Sequence, residues 1–214
     1  MSATTVPTER PSVLELARDD GPIAAAIGAA AGGAWRVPAI APLLAACLPA
    51  VIAIVATGDA APRGVVVGAI AWAVLVGGLA SARPLTDPLR WAVPPTLRAI
   101  EYGGLLWIAA VAGSSSLPAA FALLCALAYH HYDVVYGLRH RGVALPSRVR
   151  VAGGGWDGRL LVACVLLLAG ALPAGFFVMA AAIALLFVGE TIVEWRRIGR
   201  AQPPVYDDEE DEAE

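Results

Sequence analysis

The chain has 214 residues, of which 58% are hydrophobic and 15% charged, with a mean hydropathy of +0.69. A soluble domain carries nearer a quarter charged residues and has no interior large enough for so many Leu, Val, Ala and Ile, so this composition excludes an ordinary water-soluble globule. The formal net charge of −3 misleads, because seven of the eighteen acids lie within residues 207–214 and leave the remainder net basic.

In chain order, the first twenty residues are polar, so no cleavable leader is expected. Residues 1–36 read as a cytoplasmic N-terminal segment. Within it, Val13, Leu14, Glu15 and Leu16 suggest a short amphipathic turn on the membrane surface. The stretch 22–34, rich in Ala and Gly, is too short to cross a bilayer alone and reads as an interfacial or packed helix, with a further span as the alternative.

About 20 apolar residues make a crossing helix. That ruler predicts an all-α transmembrane bundle of about six spans over residues 37–198, near 37–57, 64–81, 96–113, 117–138, 157–172 and 174–195. Pro42 and Pro49 are expected to kink the first span. Gly77, Gly78, Gly103 and Gly104 suggest close helix packing, and Pro173 with Gly175 should split the last apolar stretch into a hairpin. Cys47, Cys125 and Cys164 all fall within apolar runs without metal-ligand spacing, as buried thiols do. Residues 199–214 read as a disordered acidic tail.

Arg placement sets the sidedness. With six spans, fourteen of the fifteen Arg fall on one side and only Arg63 on the other. That side is the cytoplasm, so the chain is expected to be a multi-pass plasma-membrane protein with both termini cytoplasmic.

An ionisable residue inside a span costs roughly 2.5–3.5 kcal/mol on insertion scales and is a functional candidate for that reason. The candidates are Glu101, His130, His131, Asp133, Asp157, Glu190 and Glu194. At 1.5 Å per residue, Glu101, Asp133 and Glu190 lie roughly 7–10 Å inside the cytoplasmic boundary. The outer half has none, which favours a cytoplasm-facing pocket over a transmembrane pathway. His130 and Asp133 share a helical face, whereas His131 points away from Asp133. Glu101, His130, Asp133, Asp157 and Glu190 are the candidate ligands for a divalent cation, Mg or Mn. The plain alternative pairs Arg98 with Glu101 and Glu194 with Arg197 one turn apart, and places the His residues in an aromatic belt with Tyr129, Tyr132 and Tyr136. Gly153, Gly154 and Gly155 read either as an anion-binding nest or as a hinge.

Asp133, Gly137, Arg141, Gly153 and Asp157 resemble the signature of the integral-membrane CDP-alcohol phosphotransferases, which runs from the cytoplasmic end of one span into the start of the next. The resemblance implies a two-metal site and a catalytic base. The departures are Tyr136 and Leu161 in place of two acids, His140 in place of an Ala, and a longer spacer of eleven residues, so half the acids are missing. Residues 84–202 also resemble an uncharacterised membrane domain of high-GC bacteria that occurs beside nucleotidyltransferase and CDP-alcohol phosphotransferase modules. The absence of Lys and Asn fits a GC-rich genome.

Three readings of function follow. The first is a divergent or non-catalytic membrane domain of phospholipid or polyol-phosphate metabolism, with Arg139, Arg141, Arg148 and Arg150 contacting phosphate. The second is a scaffold for a membrane enzyme, and the third, disfavoured by the bare outer half, is a small transporter. The expected partners are the bilayer and a phospholipid headgroup or membrane enzyme. Nucleic acid is not expected, because topology accounts for the Arg-rich loop.

Overall fold

The structure is a computed structural model and describes residues 14, 17–32, 37–81, 83–137 and 146–201, which form helices, turns and no strand. The helices are α1 (Pro22–Ala31), α2 (Ile40–Thr57), α3 (Arg63–Gly78), α4 (Val93–Ala112), α5 (Leu117–Tyr136), α6 (Ser147–Ala152), α7 (Gly155–Ala169) and α8 (Leu172–Ala201). Each of the six long hydrophobic segments read from the sequence is therefore a helix. The expected amphipathic turn, apart from Leu14, and the acidic tail beyond residue 201 lie outside the described residues.

Three stretches are long and apolar enough to cross a membrane by length and composition: Ile40–Ala60, Arg148–Ala169 and Leu172–Arg197. Helices α4 and α5 have 20 residues each. Arg98 and Glu101 lower the hydropathy of α4, and His130, His131 and Asp133 lower that of α5. Helix α3 has only 16 residues. Large apolar side chains nonetheless point outward from α2, α5 and α8, with Val55 82%, Phe121 69% and Leu185 77% exposed.

Helix α5 packs along α8, α2 along α3, and α4 against α7. Small residues set the spacing. A methyl on Gly104 would come within 2.8 Å of Leu160 on α7, and one on Gly77 within 3.0 Å of the Trp156 ring, whereas Gly103 faces open space. Pro42 occupies the first turn of α2, where its missing N–H is no loss, so only Pro49 interrupts the interior ladder. The α7–α8 hairpin breaks at Gly170, whose φ of +68° closes α7. Pro173 sits three residues later, in the first turn of α8.

Helix α1 is the packed helix expected over 22–34. It has no capping side chain of its own. Instead Asp157, at the start of α7, accepts hydrogen bonds from the backbone N–H groups of Gly21 (2.7 Å), Ile23 (3.0 Å) and Ala24 (2.9 Å). A carboxylate receiving the orphan donors of a helix start does what a local N-cap does, here from a distant part of the chain. Asp157→Ala is expected to cost about 1–3 kcal/mol, because the Gly21 and Ala24 donors are buried and would go unsatisfied. Amide exchange at Ile23 and Ala24 should accelerate while α8 stays protected; unchanged exchange at both amides would contradict this role.

Candidate functional site

The segment before α1 enters the Arg-rich end of the bundle through a turn and brings Arg18, Asp19 and Asp20 against α4, α5 and α7. Its entry depends on a backbone crossing. A methyl on Gly155 would collide with the backbone of Gly21, and one on Gly21 with the Gly154 carbonyl. Gly154 and Gly155 have φ of +77° and +65°, so glycine also relieves left-handed strain there. The triple glycine is thus a crossing point and not a free hinge.

Asp19 lies at the centre. Its φ of +53° is left-handed, a conformation Asp tolerates better than most residues, and the turn accompanies an inward carboxylate. Arg159 Nη2 donates to Asp19 Oδ2 at 2.6 Å, and Arg159 Nε donates to Glu101 Oε1 at 2.6 Å. Arg98 Nη1 donates to Glu101 Oε2 at 2.9 Å, the one-turn pairing read from the sequence, and stands 3.8 Å from Asp19. Two buried carboxylates thus face two guanidiniums, in keeping with the rule that charges are buried only in compensated sets.

Further donors of these guanidiniums go to backbone carbonyls. Arg159 Nη1 bonds the Gly153 carbonyl at 2.9 Å, and Arg98 Nη2 bonds the Ala17 carbonyl at 2.8 Å. Arg18 pairs with Asp20 at 2.9 Å and reaches the carbonyls of Ala80 and Arg83. Burial opposes ionisation of Asp19, yet the Arg159 guanidinium and the adjacent imidazoles hold its carboxyl well below the usual carboxylate range. Burial pushes the Asp20 carboxyl up, even with Arg18 beside it.

The two histidines complete the site from α5. Tyr102 Oη lies 2.7 Å from His131 Nδ1, and His131 Nε2 lies 3.4 Å from Asp19 Oδ2. His130 is 2% exposed and stacks on Phe187, with ring centroids 3.5 Å apart. Its Nε2 has no hydrogen-bond partner and stands 3.7 Å from Asp19 Oδ2, beyond bonding range. Asp19, His130 and His131 offer three ligand atoms within 4.8 Å of one another.

A cavity of about 150 Å³ opens over this group. Its polar lining is Asp19, Arg98, His130, His131 and Arg150, and Pro94, Pro95, Val134 and Val135 form apolar walls. The Arg150 guanidinium, on α6, makes no hydrogen bond or ion pair with the described residues, so its charge is available to a ligand.

Of the residues singled out in the sequence, the structure gathers Glu101 and His130 in the cluster and Arg150 at its cavity. Arg148 is exposed. Asp157 is occupied by α1, and Asp133 accepts a hydrogen bond from Thr191 on α8 at 3.1 Å. Glu190 is half-buried on α8 and belongs to neither group. Arg139 and Arg141 lie outside the described residues. The histidines are not part of an aromatic belt: Tyr129, Tyr132 and Tyr136 are exposed, while His130 points inward. Sequence reasoning missed Asp19 and Arg159 as partners. An Arg one turn inside an apolar helix demands a buried acid, and Asp19, just ahead of a helix start, supplies it.

A model of a family of unknown function (DUF5941) matches residues 10–213. No curated protein and no solved structure matches the chain.

Proposed function

The chain belongs to that family, and we propose that it is a six-span membrane protein whose cytoplasmic end binds the phosphate of a phospholipid headgroup or phosphorylated polyol. The observation that carries this reading is the cavity beside Arg150. It combines an uncommitted guanidinium, a charge-balanced floor and apolar walls, which suits a phosphate attached to an apolar or polyol body. Its volume of about 150 Å³ is below the roughly 300–1,000 Å³ of pockets that enclose a whole small molecule. A headgroup fits there, with the rest of the ligand outside.

The topology is supported by the distribution of Arg between the two ends. Arg63 lines a cavity with Ser115, Ser116 and Leu172, at the end of the α4–α5 and α7–α8 turns. Arg18, Arg98, Arg150 and Arg159 gather at the other end. By the positive-inside rule the Arg-rich end faces the cytoplasm and both termini lie there. The buried polar groups of α4 and α5 then face the bundle interior, as intramembrane charges do.

The reading is a binding domain of phospholipid or polyol-phosphate metabolism, related to the CDP-alcohol phosphotransferases at most distantly. Two acids that carry that resemblance, Asp133 and Asp157, are bonded to different partners, Thr191 on α8 and the start of α1. The ligand is therefore assigned to the Arg150 cavity.

Two titrations of metal-free protein test the assignment, one with glycerol phosphate and one with phosphatidylglycerol in otherwise phosphatidylcholine nanodiscs. A charged hydrogen bond is worth about 1.5–3 kcal/mol, so Arg150→Ala is expected to weaken binding about tenfold or more. Arg148→Ala, on an exposed residue, is expected to have little effect. Binding in only one titration identifies the source of the phosphate. Absence of binding in both, or binding indifferent to Arg150, would leave the scaffold reading in its place.

A further inference from the structure

We propose that Asp19, His130 and His131 form a binding site for a first-row divalent cation, such as zinc or manganese, at the floor of the Arg150 cavity. The inference deepens the phosphate-binding reading and rests on it only for what the ion would meet.

Three observations carry it. The first is spacing. Ligand atoms arranged tetrahedrally about an ion at bonds of about 2.1 Å lie about 3.4 Å apart. His131 Nε2 and His130 Nε2 stand 3.4 Å and 3.7 Å from Asp19 Oδ2. Those separations are long for hydrogen bonds and close to the edge of a coordination tetrahedron.

The second is the unpartnered His130 Nε2. A buried nitrogen with nothing to bond costs about 1–3 kcal/mol, and native structures rarely retain one without a use. Phe187 holds the ring by stacking and keeps this nitrogen beside Asp19. Apolar packing thereby fixes a polar atom beside a carboxylate but outside hydrogen-bond distance of it.

The third is the surrounding shell. Tyr102 Oη contacts His131 Nδ1, so with Nε2 coordinated the imidazole proton sits on Nδ1 and is donated to Tyr102, fixing the ring as ligand histidines are commonly fixed. Arg159 orients the Asp19 carboxylate and Glu101 offsets the nearby guanidiniums. Imidazole nitrogens favour transition metals over Mg, which prefers oxygen. Three protein ligands leave a position open to water or to a phosphate oxygen held by Arg150.

The test uses the full chain, stripped of metal and free of phosphate, titrated with Co(II) and followed by its visible d–d bands. Thermal unfolding is read in parallel with and without Zn(II). Wild type is expected to show saturable bands at one equivalent and a midpoint raised by roughly 5 °C or more at a hundredfold excess over Kd. His130→Phe keeps the stacking and removes the orphan nitrogen, so its metal-free midpoint should equal or exceed that of wild type while bands and shift are lost. His130→Gln is the second variant should the first fail to fold. Absence of bands in wild type, or their retention in either folded variant, would overturn the site. Metal-free phosphate binding is measured separately, so loss of the metal site leaves the Arg150 result standing, and the reverse also holds.

Discussion

Glu101→Ala is expected to lower stability by about 3–5 kcal/mol, the usual consequence of removing one partner from a buried charge set. Glu101 has no exposure and receives both Arg159 and Arg98. Its loss leaves Asp19 alone to balance two guanidiniums. Polar contacts between membrane helices average only about 0.6 kcal/mol in double-mutant cycles, since the unfolded chain finds other partners in lipid. The larger figure applies here because the exposed alternative of pairing with water is closed to Arg159, which is 3% exposed. Unfolding in mixed micelles measures the difference, with Glu190→Ala as a comparison expected to change little. A loss below 1 kcal/mol for Glu101→Ala would mean that the cluster hydrates and does not hold the bundle end together.

Gly155→Ala is the second large effect, expected at about 2–5 kcal/mol. The left-handed backbone of residue 155 contributes about 1–2 kcal/mol for any residue with a Cβ. The collision with Gly21 adds about 1–3 kcal/mol of overpacking. The damage is expected at a distance: the segment carrying Asp19 would be displaced, exposing Arg159 and removing the floor of the cavity. Protease sensitivity near residue 21 should rise, and cobalt bands should weaken although no ligand is altered. Gly103→Ala, where a methyl meets open space, is the matched comparison and should be near neutral. Equal behaviour of the two variants would remove the crossing point from the account.

Much of the helical architecture was legible because it depends on local runs of apolar residues, whose length predicts a helix without tertiary information. The span from 117 ends as a helix at Tyr136, and the break between α7 and α8 falls three residues before the Pro173 that suggested it. Long-range pairing was not legible in this way. Asp157 looked like a ligand because intramembrane acids commonly are, but its partners are backbone N–H groups of α1, which no side-chain pattern reveals. Asp19 was passed over because it lies outside every span, and burial there results from the Gly21–Gly155 crossing. His130 stood out by chemistry alone, and its relation to Asp19 required the fold.

We propose that the cavity between the start of α4 and the end of α5 receives the phosphate of a lipid or polyol. The most direct measurement places a photoreactive benzophenone amino acid at Val134, on the cavity wall, and irradiates intact membranes before mass analysis of the adducts. The account predicts an adduct bearing a phosphate, enriched in wild type and depleted about tenfold by Arg150→Ala. Adducts only to neutral lipid or to protein, indifferent to Arg150, would contradict it.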